Sequence, residues 1–288
     1  MAHQFNAKKT QEFFDNMATD FSVATAPRDE IFLDLILPQY IEKNPGQISA
    51  LDFGCGGGAL LLKMTEKGIN VQGIEKHDNL CQLARDRLVQ AGYNQAKIIK
   101  GGVKELTDLP PESFDFVILM GVFQYLPPED YIQSLNNIHN ILKQGGHLVA
   151  SFQNALFDFF TFNKYTVDFY QEKIVKPLGL DKLLGDSLID DFKGLMTSPE
   201  KPKYSSGIAR DNIYVRTSNP LTIADELKKH KFNLKQKYFY NLFFTPRLIE
   251  NKYQDKLKEL KKQFEIKRST EWFGYFMANA FVVDCVKE

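Results

Sequence analysis

The sequence predicts an α/β fold with a doubly wound, mostly parallel sheet, on the strength of two observations. From Ile48 to Phe152, short apolar segments typical of strands alternate with amphipathic segments of helical periodicity, and the connections between them are short. The segment Phe114–Met120 is almost continuously apolar, as is expected of a parallel strand that is buried on both faces. The five strands predicted in this half are 48–53, 69–75, 97–100, 114–120 and 147–152.

The composition limits the classes of function and the compartment. The chain has 288 residues, 43% of them hydrophobic, and a formal net charge of +0, which suits one large domain with or without an insertion. This balance argues against DNA binding, because nucleic-acid binders usually carry a basic excess. Cys55, Cys81 and Cys285 have neither pairing nor metal-type spacing, which indicates a reducing compartment. Since segment 1–18 is polar and no apolar run reaches membrane-spanning length, we expect a cytoplasmic protein without a membrane span.

The first predicted strand leads directly into a glycine cluster, Asp52-Phe53-Gly54-Cys55-Gly56-Gly57-Gly58, and then into a helical pattern from Ala59. A helix that opens after such a turn offers unpaired N–H groups to an anionic part of a ligand. Proteins that bind dinucleotides use turns of this kind and favour the pattern G-x-G-x-x-G. Here the third glycine follows Gly56 by two residues instead of three, and the pattern is Asp-x-Gly-x-Gly-x-Gly.

The second predicted strand ends in an acid, Glu75, which follows Gly58 by 17 residues. This is close to the spacing of roughly 20 residues at which a carboxylate binds the ribose hydroxyls of an adenosine-containing cofactor. A carboxylate suits this role because it can accept hydrogen bonds from both hydroxyls. Glu75 is therefore the strongest candidate after the turn itself, the alternative being an ordinary solvated strand end.

Four segments in this order resemble landmarks of the class I S-adenosylmethionine-dependent methyltransferases, in particular the small-molecule branch related to ubiquinone biosynthesis. They are Leu51–Gly56, Gly73–Glu75, Glu112–Asp115 and Leu142–Leu148. The resemblance implies a Rossmann-like sheet of seven strands with an antiparallel C-terminal edge strand and an inserted cap. It also implies S-adenosyl-L-methionine as the cofactor, S-adenosylhomocysteine as the product, and the cofactor-binding residues Asp52, Gly54, Cys55, Gly56, Glu75, Lys76, Asp78, Gly102, Val103 and Met120.

Two positions depart from the common pattern of that family. Gly102 stands where many members carry an acid that holds the adenine amine, so backbone at Gly102 or Val103 would have to make this contact. After the fourth strand, Gln124 and Tyr125 stand where a histidine base is frequent. Both are poor bases near neutral pH, and we expect them to position the substrate.

The flanking segments are less regular. Helices are predicted at 5–20 and 29–43, with Asp29 as the N-cap of the second, and the resemblance implies a lid in which Phe14 contacts the substrate; packing on the sheet is the alternative. Segment 153–216 is aromatic and breaks the alternation, so we divide the chain into 1–152, an inserted cap 153–216, and 217–288. Arg210 and Arg216 could clamp an anionic substrate, or could be solvated or paired with neighbours.

Together these features predict an enzyme that transfers a methyl group from S-adenosylmethionine to a small molecule, with oxygen as the favoured acceptor atom. The alternatives are a methyltransferase acting on RNA or protein, and a non-catalytic cofactor-binding protein. The five histidines show no spacing with acids that is typical of a metal site, so we expect no metal. The acceptor and the oligomeric state stay open at this point.

Overall fold

The computed structural model describes residues 7–17, 26–41, 45–93, 98–161, 164–177, 214–243 and 266–288. The N-terminal part contains α1 (Ala7–Met17) and α2 (Pro27–Glu30), which continues as a π-helix (Ile31–Ile36) and a 3-10 turn (Leu37–Gln39). Arg210 and most of the predicted cap lie outside the described residues.

The alternating part follows the predicted order closely. Its elements are β1 (Ser49–Phe53), α3 (Ala59–Glu66), β2 (Asn70–Glu75), α4 (Asp78–Gln90), β3 (Ile98–Lys100), β4 (Phe114–Leu119), α5 (Pro128–Ile141) and β5 (Leu142–Asn154). Short 3-10 turns precede β1 (Pro45–Gln47) and flank β4 (Lys104–Asp108 and Phe123–Tyr125).

The rest of the described chain contributes short helices and three further strands. These are α6 (Phe157–Phe160), α7 (Lys164–Phe169) with a π-helical extension (Tyr170–Val175), β6 (Thr217–Ser218), α8 (Ile223–Lys228), β7 (Phe232–Leu242), α9 (Gly274–Met277) and β8 (Ala278–Lys287). In the described part of the chain, no helix is both long and apolar enough to cross a membrane.

The sheet has the strand order β3-β2-β1-β4-β5-β8-β7, and β6 pairs with β5 outside this path. Strands β1 to β6 are parallel, whereas β8 is antiparallel to both β5 and β7. The predicted mostly parallel α/β sheet with an antiparallel C-terminal strand is therefore confirmed. In detail, the described sheet has eight strands because of the two-residue β6, and the antiparallel strand lies one position inside the edge that β7 forms.

Two local sequence patterns suggest structures that the fold does not adopt. A glycine pair after a helical segment is typical of a helix C-cap, but α5 already ends at Ile141, and Gly145 and Gly146 lie in an irregular part of β5, where the register with β4 shifts between Phe114 and Phe116. Gly145 has φ +73°, a conformation that glycine adopts readily in a bulge as well as in a helix cap. Asp29 is likewise inside α2, which follows Ala26 and has Pro27 in its first turn, where the missing N–H is tolerated.

One face of the sheet carries polar side chains at the carboxyl end of its parallel strands. Ala50, Ile118, Val149 and Tyr238 pack into the core of this face together with the segment Ile31–Leu37. Because side chains alternate along a strand, Asp52 shares the face of Ala50, and by the same alternation Met120, Ser151, Glu75 and Tyr240 lie on this face of their strands. Most of the polar groups described below therefore meet at one edge of one face.

The N-terminal segment that covers this face is fixed to the sheet at its other end. Asp284 on β8 accepts a hydrogen bond from the Tyr40 hydroxyl at 3.0 Å and pairs with Nδ1 of His147 at 2.7 Å. The Tyr40 and His147 rings are 4.0 Å apart between centroids, and both Asp284 and His147 are buried. This network holds the chain after the π-helix and thereby helps to place Arg28 and Asp29 over the carboxyl end of the sheet.

Candidate functional site

The glycine turn after β1 requires glycine for two physical reasons. Gly54, Gly56 and Gly58 have φ values of +76°, +54° and +76°, a region that other residues adopt at a cost. A Cβ added to Gly58 would lie 2.9 Å from the Cβ of Ala84 on α4, so the turn also packs closely against that helix. The turn thus presents its backbone at the N-terminus of α3, as the sequence predicts.

Glu75 joins this turn to the loop that follows β2. Its Oε2 accepts a hydrogen bond from the backbone N–H of Gly56 at 2.9 Å, and its Oε1 accepts one from the N–H of His77 at 2.9 Å. The side chain is buried. Since each carboxylate oxygen can accept more than one hydrogen bond, these contacts fix the carboxylate and leave it acceptor capacity for ribose hydroxyls.

Asp52 is the other buried acid of the turn. It is 2% exposed, and its Oδ2 has no hydrogen-bond partner in the described part of the chain. Burial, the Asp29 carboxylate and the Glu75 carboxylate raise its pKa well above the usual range, whereas Arg28 acts in the opposite direction. An orphaned carboxylate oxygen among further acids favours a positively charged ligand. The residues present therefore fit a cofactor that carries a sulfonium and an ammonium group.

The other predicted cofactor-binding residues differ in their exposure to solvent. Lys76 and Asp78 are exposed, and Asp78 forms an ion pair of 2.6 Å with Lys100 on β3. Nothing would lie within 4 Å of a Cβ at Gly102, whereas Val103 is buried.

Glu105 places a carboxylate in the same loop as Gly102. Its Oε2 accepts the N–H of Gly102 at 2.5 Å. Sequence reasoning missed Glu105, although a carboxylate three residues further along a loop is a recognisable local partner.

Cys55 packs with its side chain toward β2. A Cβ on Gly73 would lie 2.8 Å from its Sγ, so the thiol fills the space that Gly73 leaves. Burial, followed by Asp52 and Glu75, raises the pKa of the Cys55 thiol well above its usual range. The thiol is thus a neutral filler, and a contact between Cys55 and a cofactor would use its backbone.

Polar and aromatic groups lie on the other side of the turn, next to the end of β4. Met120 is buried, and the following Gly121 (φ +84°) donates its N–H to Oγ of Ser151 at 2.7 Å. The guanidinium of Arg28 covers Gly121, with Cζ 3.4 Å from the position of a Cβ there. Burial raises the pKa of the Tyr240 phenol, which lies close to Arg28, Ser151 and Tyr125. Arg28, Ser151 and Tyr240 were not singled out from the sequence.

Phe14 contacts aromatic residues that follow two different strands, β2 and β4. Its ring centroid is 5.1 Å from that of His77, which follows Glu75, and 5.1 Å from that of Tyr125 after β4. Phe13 also lies near Tyr125, with 6.3 Å between the ring centroids. This contact pattern agrees with the predicted position of α1 over the cofactor site and keeps Phe14 a candidate for contact with the substrate.

Gln124 and Arg216 meet through the backbone. The Gln124 side chain is buried, its Oε1 has no partner in the described residues, and its backbone oxygen accepts the Arg216 N–H at 2.8 Å.

The expectation that Arg216 clamps an anionic substrate is not supported by its contacts. Its guanidinium lies 3.7 Å over the Tyr131 ring and forms an ion pair with Glu226. Its charge is therefore engaged within the protein.

No cluster of three or more potential metal ligands occurs among the described residues.

The comparison with known families identifies the domain that contains these residues. Residues 51–150, which contain the turn, Glu75, Gly121 and Tyr125, match the family described as "Methyltransferase domain". Residues 51–150 form a class I S-adenosylmethionine-dependent methyltransferase domain. The cofactor of this methyltransferase is S-adenosylmethionine, and the predictions of family, enzyme class and cofactor are confirmed.

Curated relatives carry names from quinone metabolism. The methyltransferase is 27% identical over 177 residues to "Ubiquinone biosynthesis O-methyltransferase" of Nitrosospira multiformis, covering 57% of this chain and 73% of the relative. It is 33% identical over 119 residues to the protein of the same name from Nitrosomonas europaea, covering 40% and 49%. It is 26% identical to "Demethylmenaquinone methyltransferase" of Bacillus velezensis, covering 44% and 57%. For the last two relatives the match spans only about half of their length.

Solved structures agree on the fold. A SAM-dependent methyltransferase from Archaeoglobus fulgidus has a TM-score of 0.51 and 16% identity, covering 96% of this chain and 99% of that protein. A putative sarcosine dimethylglycine methyltransferase from Galdieria sulphuraria has a TM-score of 0.56 and 12% identity, covering 97% and 98%. At these identities the similarity establishes the fold alone.

Proposed function

We propose that the methyltransferase transfers the methyl group of S-adenosylmethionine to a small organic acceptor, with oxygen as the favoured acceptor atom. The names of the relatives support this proposal, since they refer to small quinone-related molecules and, in the ubiquinone series, to O-methylation. The formal net charge of +0 also agrees with an acceptor that is not a nucleic acid.

The observation that carries the proposal is the lining of the region next to the cofactor turn. Tyr125, Phe13 and Phe14 bring aromatic rings together, while Arg28 and Tyr240 bring polar groups to the same place. Apolar and aromatic walls with a few directed polar groups are typical of sites for small ligands. Tyr125 is therefore proposed as a positioning residue, and Gln124, with its buried carbonyl oxygen, as its neighbour in the same role.

The reaction requires the protein mainly to position the methyl donor and the acceptor. S-adenosylmethionine supplies a methyl group that is made electrophilic by the sulfonium charge. Glu75 and the glycine turn would hold the nucleoside and amino-acid parts, and Asp52 would place its carboxyl group near the cationic groups. Tyr240, whose pKa is raised by burial, stays protonated near neutral pH and acts as a hydrogen-bond partner instead of a base. Alignment of the acceptor with the methyl group would then supply most of the rate enhancement.

The proposal predicts where the methyl group goes in an unbiased assay. The purified protein is incubated with S-adenosylmethionine labelled in the methyl group and with a cell extract, which is then separated into small molecules, nucleic acids and proteins. We expect the label in the small-molecule fraction. We also expect Tyr125→Phe to lower its rate of appearance by about fivefold with an unchanged affinity for S-adenosylhomocysteine, since a positioning hydrogen bond is worth about 1 kcal/mol.

The alternatives give different results in the same assay. Label in the nucleic-acid or protein fraction would indicate a macromolecular acceptor. Absence of label in every fraction, with intact binding of the cofactor, would indicate a non-catalytic protein. Either outcome would contradict the proposed function.

A further inference from the structure

We propose that the protein binds a second small molecule in a cavity beside His147, toward the amino end of the parallel strands. The ligand that this cavity fits is a planar aromatic anion that carries a hydroxyl group. The inference goes beyond the proposed function and does not depend on which molecule accepts the methyl group.

The cavity lies where the N-terminal segment meets β5, β7 and β8. Its volume is about 630 Å³, which falls within the range of roughly 300–1,000 Å³ that is usual for small-ligand sites. On β5, His147 precedes Ser151 by four residues, which places the cavity about 13 Å along the strand from the carboxyl end of the sheet. The cavity is therefore separate from the cofactor turn. Its walls include Tyr40, His147, Lys235, Gln236, Tyr238 and Asp284.

The imidazole of His147 has one ring nitrogen left for a ligand. Because a carboxylate can only accept, the 2.7 Å contact with Oδ1 of Asp284 assigns the proton to Nδ1. In a neutral imidazole Nε2 is then a hydrogen-bond acceptor, and it has no hydrogen-bond partner among the described residues. The rings of Tyr40 and Phe116 pack against the imidazole, with centroids 4.0 Å and 5.3 Å away, and fix its orientation. This arrangement selects a ligand with a hydroxyl donor.

A β-bulge in β7 brings a cation to the cavity. Leu234 pairs with Cys285 and Gln236 pairs with Asp284 on β8, so Lys235 is the extra residue between them. Successive side chains of a regular strand point to opposite faces. Because of the extra residue, Lys235 and Gln236 both line the cavity, as a bulge that redirects a side chain allows.

The charges around the cavity favour an anion. Lys235 is exposed and forms no ion pair with a residue in the described part of the chain. Asp284 is only 1% exposed, and its two oxygens are engaged by Nδ1 of His147 and by the Tyr40 hydroxyl. The carboxylate is therefore compensated within the protein, whereas the ammonium group of Lys235 is left to attract a ligand.

Tyr40 and Tyr238 give the cavity aromatic walls. Tyr238 is buried, and its hydroxyl accepts a hydrogen bond from the side-chain amide of Gln39 at 3.3 Å. The Tyr40 ring is held through its hydroxyl by Asp284 at 3.0 Å. Fixed rings of this kind suit a flat aromatic ligand, and aromatic walls with a few directed polar groups are typical of small-molecule sites.

The test uses three naphthalene probes of similar shape. 6-Hydroxy-2-naphthalenesulfonate has both the hydroxyl and the anionic group, 2-naphthalenesulfonate lacks the hydroxyl, and 2-naphthol lacks the anionic group. The wild-type protein, saturated with S-adenosylhomocysteine, is titrated calorimetrically with each of them. We expect one equivalent of the hydroxysulfonate to bind, and the other two probes to bind about fivefold more weakly, as the loss of one hydrogen bond or one ion pair predicts.

Two variants locate the bound probe. Lys235→Gln should lower the affinity for the hydroxysulfonate by about fivefold and leave that for 2-naphthol unchanged. Gln236→Phe fills the cavity from an exposed strand position and should abolish binding of all three probes. As the control, Lys229→Gln removes an exposed lysine directly after α8, which packs on the opposite face of the sheet, and should leave every affinity unchanged. The affinity of each variant for S-adenosylhomocysteine, which should equal that of the wild type, shows that it is folded.

The inference would be overturned by absence of probe binding to the wild type, by undiminished binding to folded Gln236→Phe, or by equal affinities for the hydroxysulfonate and 2-naphthalenesulfonate. Displacement of the hydroxysulfonate by S-adenosylhomocysteine would also overturn it, since the probe would then occupy the cofactor site. The fraction that receives the methyl label tests the proposed function independently, so the two failures can be distinguished.

Discussion

Replacing Glu75 with alanine is expected to lower the affinity for S-adenosylhomocysteine by about a hundredfold or more. The reason is the loss of two charge-assisted hydrogen bonds to the ribose hydroxyls, each worth roughly 1.5–3 kcal/mol. The same change also removes the acceptor for the N–H groups of Gly56 and His77, so that the glycine turn and the loop after β2 lose their connection. Isothermal calorimetry with the wild type and the variant measures the effect.

The loss of the two backbone contacts makes a test of folding necessary. Glu75→Gln keeps the side-chain volume and one of the two acceptor oxygens but removes the charge, and it should also bind the product weakly. Thermal unfolding of both variants shows which of them are folded under the conditions of the titration. Glu66→Ala removes a partly exposed acid on α3 and should bind normally. If folded Glu75→Ala protein binds S-adenosylhomocysteine within about threefold of the wild type, the ribose assignment is wrong, since that factor is less than one hydrogen bond.

Replacing Asp52 with asparagine is expected to have opposite effects on stability and on cofactor binding. Burial, Asp29 and Glu75 raise the pKa of Asp52 well above its value in the unfolded chain. The folded state therefore binds more protons than the unfolded state between these two pKa values, so that the free energy of unfolding falls as the pH rises through the folded pKa. Asparagine cannot ionise. At neutral pH the variant should therefore be more stable than the wild type.

The same substitution removes a negative charge from the neighbourhood of the sulfonium and ammonium groups. We expect the affinity for S-adenosylmethionine to fall by about tenfold, as for the loss of one favourable charge interaction in a partly buried site. Urea unfolding over a series of pH values and calorimetric titration measure the two effects. Asp34→Asn, at an exposed position of the π-helix, serves as the control and should change neither. A destabilised Asp52→Asn protein at neutral pH, or an unchanged pH dependence, would contradict this account.

Local sequence patterns were sufficient to predict the sheet and the proximity of the candidate cofactor-binding residues. Period-two and continuous apolar segments, together with glycines at strand ends, place Asp52, Gly54 and Glu75 at the carboxyl end of adjacent strands. Their proximity follows from parallel pairing alone. For the same reason, an acid at the end of the second strand could be assigned before any distance was known.

The acceptor half could not be predicted in the same way. Arg28 lies 123 residues before Ser151, and Ser151 lies 89 residues before Tyr240. Only the strand order β1-β4-β5-β8-β7 brings these residues to the same edge of the sheet. Tyr240 also has the pattern of an ordinary strand tyrosine. Nothing local distinguishes a residue of this kind from a residue of the core.

The sequence also could not predict which groups each side chain contacts. An arginine such as Arg216 is suited to bind an anionic substrate. In the structure its guanidinium instead contacts the ring of Tyr131 on α5 and the carboxylate of Glu226 on α8. Gly145 and Gly146 have the pattern of a helix cap, but a bulge requires the same φ > 0 freedom. In both cases the sequence shows what a residue can do, and tertiary contacts select among the possibilities.

A crystal structure of the protein with S-adenosylhomocysteine would test the central claim most directly. We predict that both ribose hydroxyls lie within hydrogen-bonding distance of the Glu75 carboxylate, with the amino-acid part over Gly54 and Gly56 and the adenine near Val103. The sulfur should then face Gly121 and Tyr125. Product bound away from Glu75, or bound with its sulfur facing away from the end of β4, would contradict the account.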